Sequence, residues 1–434
     1  MLTTLRNAWR VDDIRKKLIF MMFIVLLYRL GNAVTVPYVN TYLLSEYFVG
    51  MQDNMLGLLN TLSGSALERA SIFALSIQPY INASIIIQLL TFAVPALERL
   101  SKEGGEEGKR KITRITRYLT IAIAALQGYA YYFLISDGGP GGISMLDPSA
   151  TGLWPPVIII AAFVTGSALL MWMGEQITEF GIGNGISIIL FISIVSRFPN
   201  DIAVMASQVW ANPSTWWIYV LMLIGALAIV VLIVVVSNSE RRIPIQYSKR
   251  MVGRKMYGGQ STHLPMKLNM AGVLPIIFAQ SIASVPATIA IFAPGIEDGW
   301  FMRNVFAPTA IPYAVVYFLL IVFFSYFYST IQFNPIEVAN NLKKNGGFIP
   351  GFRAGKPTSE FLQKVLTKIT LFGAIYLAII AVVPLIISHF SETAANAGIA
   401  MGGTSIIIVV GVALETMKQL ESQLLMRHYK GFLE

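Results

Sequence analysis

A lysine after closely spaced glycines suggests a phosphate-binding loop, and Gly104-Gly105-Glu106-Glu107-Gly108-Lys109 invites that reading. Such a loop wraps nucleotide phosphates in backbone N–H groups and needs Ser or Thr after the lysine to hold magnesium. Here the glycine spacing is wrong and Arg110 follows the lysine. A second glycine cluster, Gly181-Ile182-Gly183-Asn184-Gly185, has no strand before it and reads as a turn. His263, His389 and His428 lack metal-ligand spacing, and the absence of cysteine removes thiol nucleophiles, thiolate metal sites and disulfides. The expectation is a chain with no metal, no cofactor and no catalytic chemistry of its own.

The elements available to position any functional residue are set by composition. Of 434 residues 55% are hydrophobic and 13% charged, with a net charge of +9. A soluble protein carries about 25% charged residues, so this chain has too much apolar surface for water. Stretches long enough to cross a bilayer, which takes about 17–25 residues each, occupy 18–36, 71–94, 118–135, 156–173, 216–236, 270–292, 311–330, 369–388 and 397–414. The stretch 182–195 is short and runs into Arg197 and Pro199.

Lys and Arg in short loops are retained on the cytoplasmic side, and this decides whether 182–195 crosses. Basic residues crowd the N-terminus (Arg6, Arg10, Arg15, Lys16, Lys17), the loop after the second stretch, and the loops 237–269 and 331–368. Counting 182–195 puts all of these on one side and leaves Arg69, Arg197 and Arg303 outside. The expected topology therefore has ten spans and both termini cytoplasmic. The first span lacks an Ala-x-Ala cleavage pattern and is expected to stay uncleaved. Before it, Leu2, Leu5 and Trp9 with Arg6 and Arg10 form either an interfacial amphipathic helix or a frayed tail. Five spans is an odd number, so a second set of five like the first would enter from the opposite side, as in inverted repeats.

Between the first two spans, Met55, Leu58, Leu59, Leu62 and Ala66 make an apolar stripe with Asn54, Asn60, Thr61, Ser63 and Ser65 on the other side. The segment is too short to span. It is either a re-entrant element or a helix lying flat on the outer surface. Ile77, Ile81 and Ile85 repeat every four residues, as do Ile186 and Leu190; such aliphatics either face lipid and core or line a pore that closes by dewetting. Gln280, Ser281, Ser284 and Thr288 form a polar stripe needing partners on another helix or a wet interior. Charges inside the spans are nearly absent, Arg29 being within snorkelling reach of the interface. An ion-coupled transporter or pump generally needs ionisable groups at depth. The loop 237–269 alternates basic and apolar residues from Arg241 to Lys255, as a projecting hairpin does, with Gly258-Gly259 as its expected turn.

Four sets of residues resemble one family. They are Leu67-Glu68-Arg69-Ala70-Ser71-Ile72-Phe73-Ala74-Leu75 running into Pro79-Tyr80-Ile81 and Ser84-Ile85-Ile86-Ile87-Gln88; Gly174-Glu175-Gln176-Ile177-Thr178-Glu179 with the 181–185 glycine cluster; Gln260-Ser261-Thr262-His263-Leu264-Pro265; and Asn340-Asn341-Leu342-Lys343-Lys344 with Pro350-Gly351-Phe352-Arg353. On these the chain resembles the SecY/translocon family of channel subunits of the bacterial Sec protein translocase.

The resemblance implies an all-α polytopic membrane protein whose ten transmembrane helices form two pseudo-symmetric inverted five-helix halves with a short re-entrant plug helix. It implies an amphipathic N-terminal segment at 1–17, an N-terminal half at 18–197 with the plug at 54–67, a C-terminal half at 198–414 and a cytoplasmic tail at 415–434. It further implies a channel that passes unfolded secretory proteins across the cytoplasmic membrane and releases membrane segments sideways. Ile77, Ile81, Ile186, Leu190, Ile277 and Ile408 match the pore ring; Asn54, Met55, Leu58, Leu59, Leu62 and Ala66 match the plug. Asn82, Gln88, Gln280, Ser284 and Val285 match the lateral gate. Arg241, Arg242, Lys249, Arg250, Arg254, Lys255, Arg353 and Lys356 match the docking surface for the SecA ATPase and the ribosome. Implied partners also include SecE and SecG subunits, signal peptides with unfolded preproteins, and the lipid bilayer. The chain departs from the family pattern at Leu190, where isoleucine is frequent, at Ser76, where glycine is common, and at Ala354, where proline is frequent. The runner-up is a secondary transporter with a five-plus-five inverted repeat, and a third reading is a membrane scaffold.

Overall fold

The computed structural model describes residues 2–49, 55–102, 104–137, 144–150, 152–211, 213–247, 250–252, 255–257, 261–286, 289, 304–305, 307, 310–390 and 402–430. Its helices are α1 (Leu2–Arg10), α2 (Asp12–Ala33), α3 (Thr41–Val49), α4 (Met55–Ser63), α5 (Gln78–Ala93), α6 (Pro95–Lys102), α7 (Gly105–Asp137), α8 (Trp154–Phe180), α9 (Gly185–Ala211), α10 (Trp216–Asn238), α11 (Leu274–Ala283), α12 (Ile311–Gln332), α13 (Pro335–Lys344), α14 (Lys356–Phe390) and α15 (Gly402–Lys430). Seven described helices are long and apolar enough to cross a membrane, and the bent pair α5–α6 makes up to eight. The helix α2 covers most of the first expected span but carries Arg15, Lys16, Lys17 and Arg29.

Several expected boundaries move, each for a local reason. The second span begins as helix only at Gln78, because Ala70 and Ser76 have φ of +43° and +52°, which a right-handed helix excludes. The seventh begins at Leu274 and not at 270, since Gly272 has φ +65° with its carbonyl taken by the Asn269 amide, and Pro275 suits a first helical turn. The short fifth stretch belongs to a 27-residue helix that runs through Arg197 and Pro199 to Ala211, across the expected boundary at 197/198. The segment 2–10 is helical, and its Ala8 packs with Ile14, Ile182 and Leu420 in a small cluster.

The all-α expectation needs amending. Two strands, β1 (Glu240–Tyr247) and β4 (Ser261–Lys267), pair antiparallel from Glu240↔Lys267 to Gln246↔Ser261. Beyond them β2 (Arg250–Val252) and β3 (Lys255–Tyr257) pair with Val252 opposite Lys255. The expected turn at Gly258-Gly259 lies outside the described residues. A third strand, β5 (Gly347–Phe348), joins the other edge of β1. Both expected cytoplasmic loops thus share one sheet, packed through Ile243, Met266 and Ile349 onto Leu362, Val365 and Leu366 of α14.

The helices fall into two groups of packed neighbours. In one, α2 lies on α8, α5 on α7, α7 on α8 and α8 on α9; in the other, α11 lies on α12, α12 on α14, α14 on α15 and α10 on α15. The groups meet mainly where α9 touches α15 and where α5 touches α11, with a smaller contact between α9 and α10.

Candidate functional site

The six aliphatic residues Ile77, Ile81, Ile186, Leu190, Ile277 and Ile408 all belong to, or pack against, the large apolar core that spans both groups. They arrive from the start of α5, from α9, from α11 and from α15. All are buried except Ile186, which is half-buried. The helices through which the two groups mainly touch, α5, α9, α11 and α15, each carry or adjoin at least one of the six.

The geometry of α9 that delivers Ile186 and Leu190 follows from the glycine cluster. A Cβ on Gly185 would lie 1.9 Å from the Gly174 carbonyl oxygen, so only glycine lets the two helices close here. The Thr178 hydroxyl accepts the Gly185 N–H at 2.9 Å, and the Asn184 carboxamide oxygen accepts the Ile186 N–H at 3.0 Å as an N-cap. Glu175 takes a two-point ion pair from Arg117 at 2.9 and 2.8 Å, tying α7 to α8.

Along the α5–α11 seam the Gln78 amide donates to the Ser281 hydroxyl at 3.5 Å, a long and weak contact. Neither residue is among those matched to the gate by resemblance. The signal was present in the sequence as polar side chains on both helices, but which two meet depends on register. Of the five residues matched to the gate, Gln280 is buried with its amide nitrogen unpartnered among the described residues, Ser284 is buried just beyond the end of α11, and Val285 is 44% exposed. Asn82 is half-buried, and Gln88 donates within its own helix to Ser84 at 3.3 Å.

The segment expected as a plug is helical from Met55 only to Ser63. Gly64 and Ser65, at φ +68° and +67°, end it, so Ala66 is buried beyond the helix and not on its stripe. A Cβ on Gly64 would sit 2.7 Å from the Ser193 carbonyl oxygen, which accounts for a glycine at this close approach. The helix is held against α9 by Arg197, which donates to the Thr61 hydroxyl and pairs with Asp201 at 3.0 Å. Tyr28 adds a hydroxyl–hydroxyl bond of 2.6 Å to Ser193 and a 3.4 Å bond to the Ser63 carbonyl. In the sequence Arg197 is legible only as a topological charge, because nothing in one dimension brings it to Thr61. Leu59 packs against the cluster around Ile135 and Phe163. Asn54 and the side chains of Met55, Leu58 and Leu62 lie outside the described residues.

On the sheet side Arg241 and Arg242 are exposed on β1, with Arg242 bonded to Glu240 at 2.7 Å. Arg250 and Lys255 belong to β2 and β3, while Lys249 and Arg254 lie outside the described residues. Arg353 is exposed, its carbonyl fixed by the Thr358 hydroxyl at 2.7 Å and its neighbour Phe352 stacked on Phe361 at 4.2 Å, so the loop is anchored without the proline that Ala354 replaces. Lys356 opens α14 and is exposed.

A model of the SecY family matches residues 71–417. This chain belongs to the SecY family. It is 45% identical over 446 residues to the protein translocase subunit SecY of Streptomyces scabiei, with all of both chains covered. Its fold is similar to that of a protein-conducting channel at TM-score 0.63 and 18% identity, covering 94% of this chain and 92% of the other. It is also similar to Sec61 in the canine ribosome–channel complex at TM-score 0.59 and 16% identity, with the same coverage. The stretch from Gly174 to Gly185 is, in physical terms, an ion pair plus a capped glycine turn that aims α9.

Proposed function

We propose that this chain is the channel subunit through which unfolded secretory proteins cross the cytoplasmic membrane and from which membrane segments leave sideways. The observation that supports this reading is that Ile77, Ile81, Ile186, Leu190, Ile277 and Ile408 all lie in or against one charge-free apolar core that spans both helix groups. A collar of this kind closes by dewetting and holds no particular substrate sequence. Family membership and the translocase name carried by a relative identical at 45% of positions support the same reading.

In this proposal ten spans form inverted halves at 18–197 and 198–414, with the 1–17 segment, the 415–434 tail and both termini in the cytoplasm. The 54–67 segment is the plug, and the α5–α11 seam, including Asn82, Gln88, Gln280, Ser284 and Val285, is the lateral gate. Weak bonding across that seam suits a contact that must open. The chain performs no catalysis. SecA or the translating ribosome supplies energy, docking on the sheet and on Arg353, while SecE and SecG complete the assembly; the ribosome–channel complex of a fold relative agrees with such docking.

Reconstitution into liposomes with a SecE-like subunit, SecA and ATP tests the proposal. A secretory precursor should become protected from added protease only when ATP is present. Absence of ATP-dependent protection in a correctly folded preparation, together with uptake of a small solute driven by an ion gradient, would replace the channel by a transporter.

A further inference from the structure

A cleft of about 630 Å³ opens where the base of the hairpin meets α14, away from the collar, the seam and the plug. Its lining separates into two levels. Arg241, Lys364 and Lys368 supply three exposed cations, and Phe361, Ile369 and Phe372 supply an apolar wall. Lys364, Lys368 and Phe372 follow at four-residue steps on one helix, so they share a face and succeed one another by about 6 Å along the axis. The apolar span of this helix begins at 369 by composition, which puts the lysines at headgroup level and Phe372, 54% exposed, one turn inside hydrocarbon. The one carboxylate of the cleft, Glu240, is already engaged by Arg242 at 2.7 Å. The three lining cations form no ion pair among the described residues.

We propose that this cleft is a binding site for an anionic phospholipid of the cytoplasmic leaflet, its phosphate held by Arg241, Lys364 and Lys368 and an acyl chain laid along Ile369 and Phe372. Basic pockets beside spanning helices on this side of a membrane recognise such headgroups, and the apolar wall selects a lipid over a free anion. A bound headgroup bridges the first strand of the sheet to the spanning helix, tying the sheet's position to membrane charge. The choice of leaflet rests on the topology proposed above; binding itself does not, and the assay reads binding alone.

The test is native mass spectrometry of the purified, delipidated full chain titrated with phosphatidylglycerol or phosphatidylcholine. Each basic side chain near an anionic surface contributes roughly a fivefold gain in affinity. The wild type should prefer phosphatidylglycerol, and R241Q/K364Q/K368Q should lose on the order of 100-fold of that affinity. K364R/K368R should retain it, as should K343Q/K344Q, whose exposed lysines lie outside the cleft. Unchanged phosphatidylglycerol binding in the triple variant would overturn the proposal. So would equal retention of both lipids, which would give the cleft to a helix of another chain, or complete displacement by inorganic phosphate, which would make it a simple anion site.

Discussion

Replacing Ser76 by glycine should stabilise the folded chain, although the residue is deeply placed. Ser76 is 4% exposed, has φ +52°, and its hydroxyl has no hydrogen-bond partner among the described residues. Left-handed backbone costs a residue with a Cβ about 1–2 kcal/mol and glycine almost nothing. An unpaired buried hydroxyl costs a further ~1–3 kcal/mol, which glycine also removes. Against these stands the larger backbone entropy that glycine loses on folding, about 0.5–1 kcal/mol. The balance favours glycine by roughly 2 kcal/mol. The Ser76 carbonyl, which accepts from the Ser167 hydroxyl at 3.5 Å, is kept in either case. Alanine separates the two effects, since it removes the hydroxyl and retains the strain.

Melting should therefore rise from wild type to S76A to S76G, by a few degrees in total given about 2–4 °C per kcal/mol for domains of 150–250 residues and less for longer chains. Fluorescence-detected gel filtration after heating in detergent, with the three proteins in parallel, measures this order. An S76G protein that melts below wild type would refute the reasoning, because it would mean that the serine side chain itself holds the turn before Ile77.

The remaining expectations concern the channel. Deleting 54–67 should leave an assembled protein with raised resting ion conductance in liposomes, and R197A should do the same to a smaller extent by freeing Thr61 from α9; unchanged conductance in both would argue against a plug. Replacing Ile81 and Ile408 together by Asn should wet the collar and raise resting permeability, and a change in thermal stability alone would make them core. R353E should insert normally and keep its seal while losing most SecA-driven translocation, because reversal places like charges at a docking contact without disturbing orientation set by many other basic residues. R254E/K255E should weaken ribosome binding with a marked salt dependence, and normal affinity at native topology would move the docking surface elsewhere.

Charge placement and hydropathy make the succession of spans legible, since both are properties of segments taken one at a time. What they miss are places where one residue decides the backbone. Ser76 and Ser65 adopt left-handed conformations that serine rarely takes, and Pro199 sits inside α9 where a proline usually marks an end. The shared sheet was missed for a different reason: Gly347 and Phe348 are two residues without alternation, and only their pairing with Gln246 and Tyr247, a hundred positions away, makes them a strand.

The collar poses the harder problem, because residue type does not distinguish a pore-facing aliphatic from a lipid-facing one. Ile85, Ile86 and Ile87 are identical side chains in succession, yet they are 3%, 39% and 5% exposed. Helical period assigns them to different faces, but it cannot say which face meets the opposite group and which meets lipid. That information resides in the neighbours, and it is what gives the collar experiment its control. Asn at Ile86 puts an amide on an exposed face and should burden membrane insertion while leaving resting permeability unchanged. Asn at Ile81 and Ile408 puts amides into the apolar core that spans both groups and should act on permeability first. Equal leakage from both sets would mean that any polar group in these helices loosens the bundle, and that the six residues serve packing without gating.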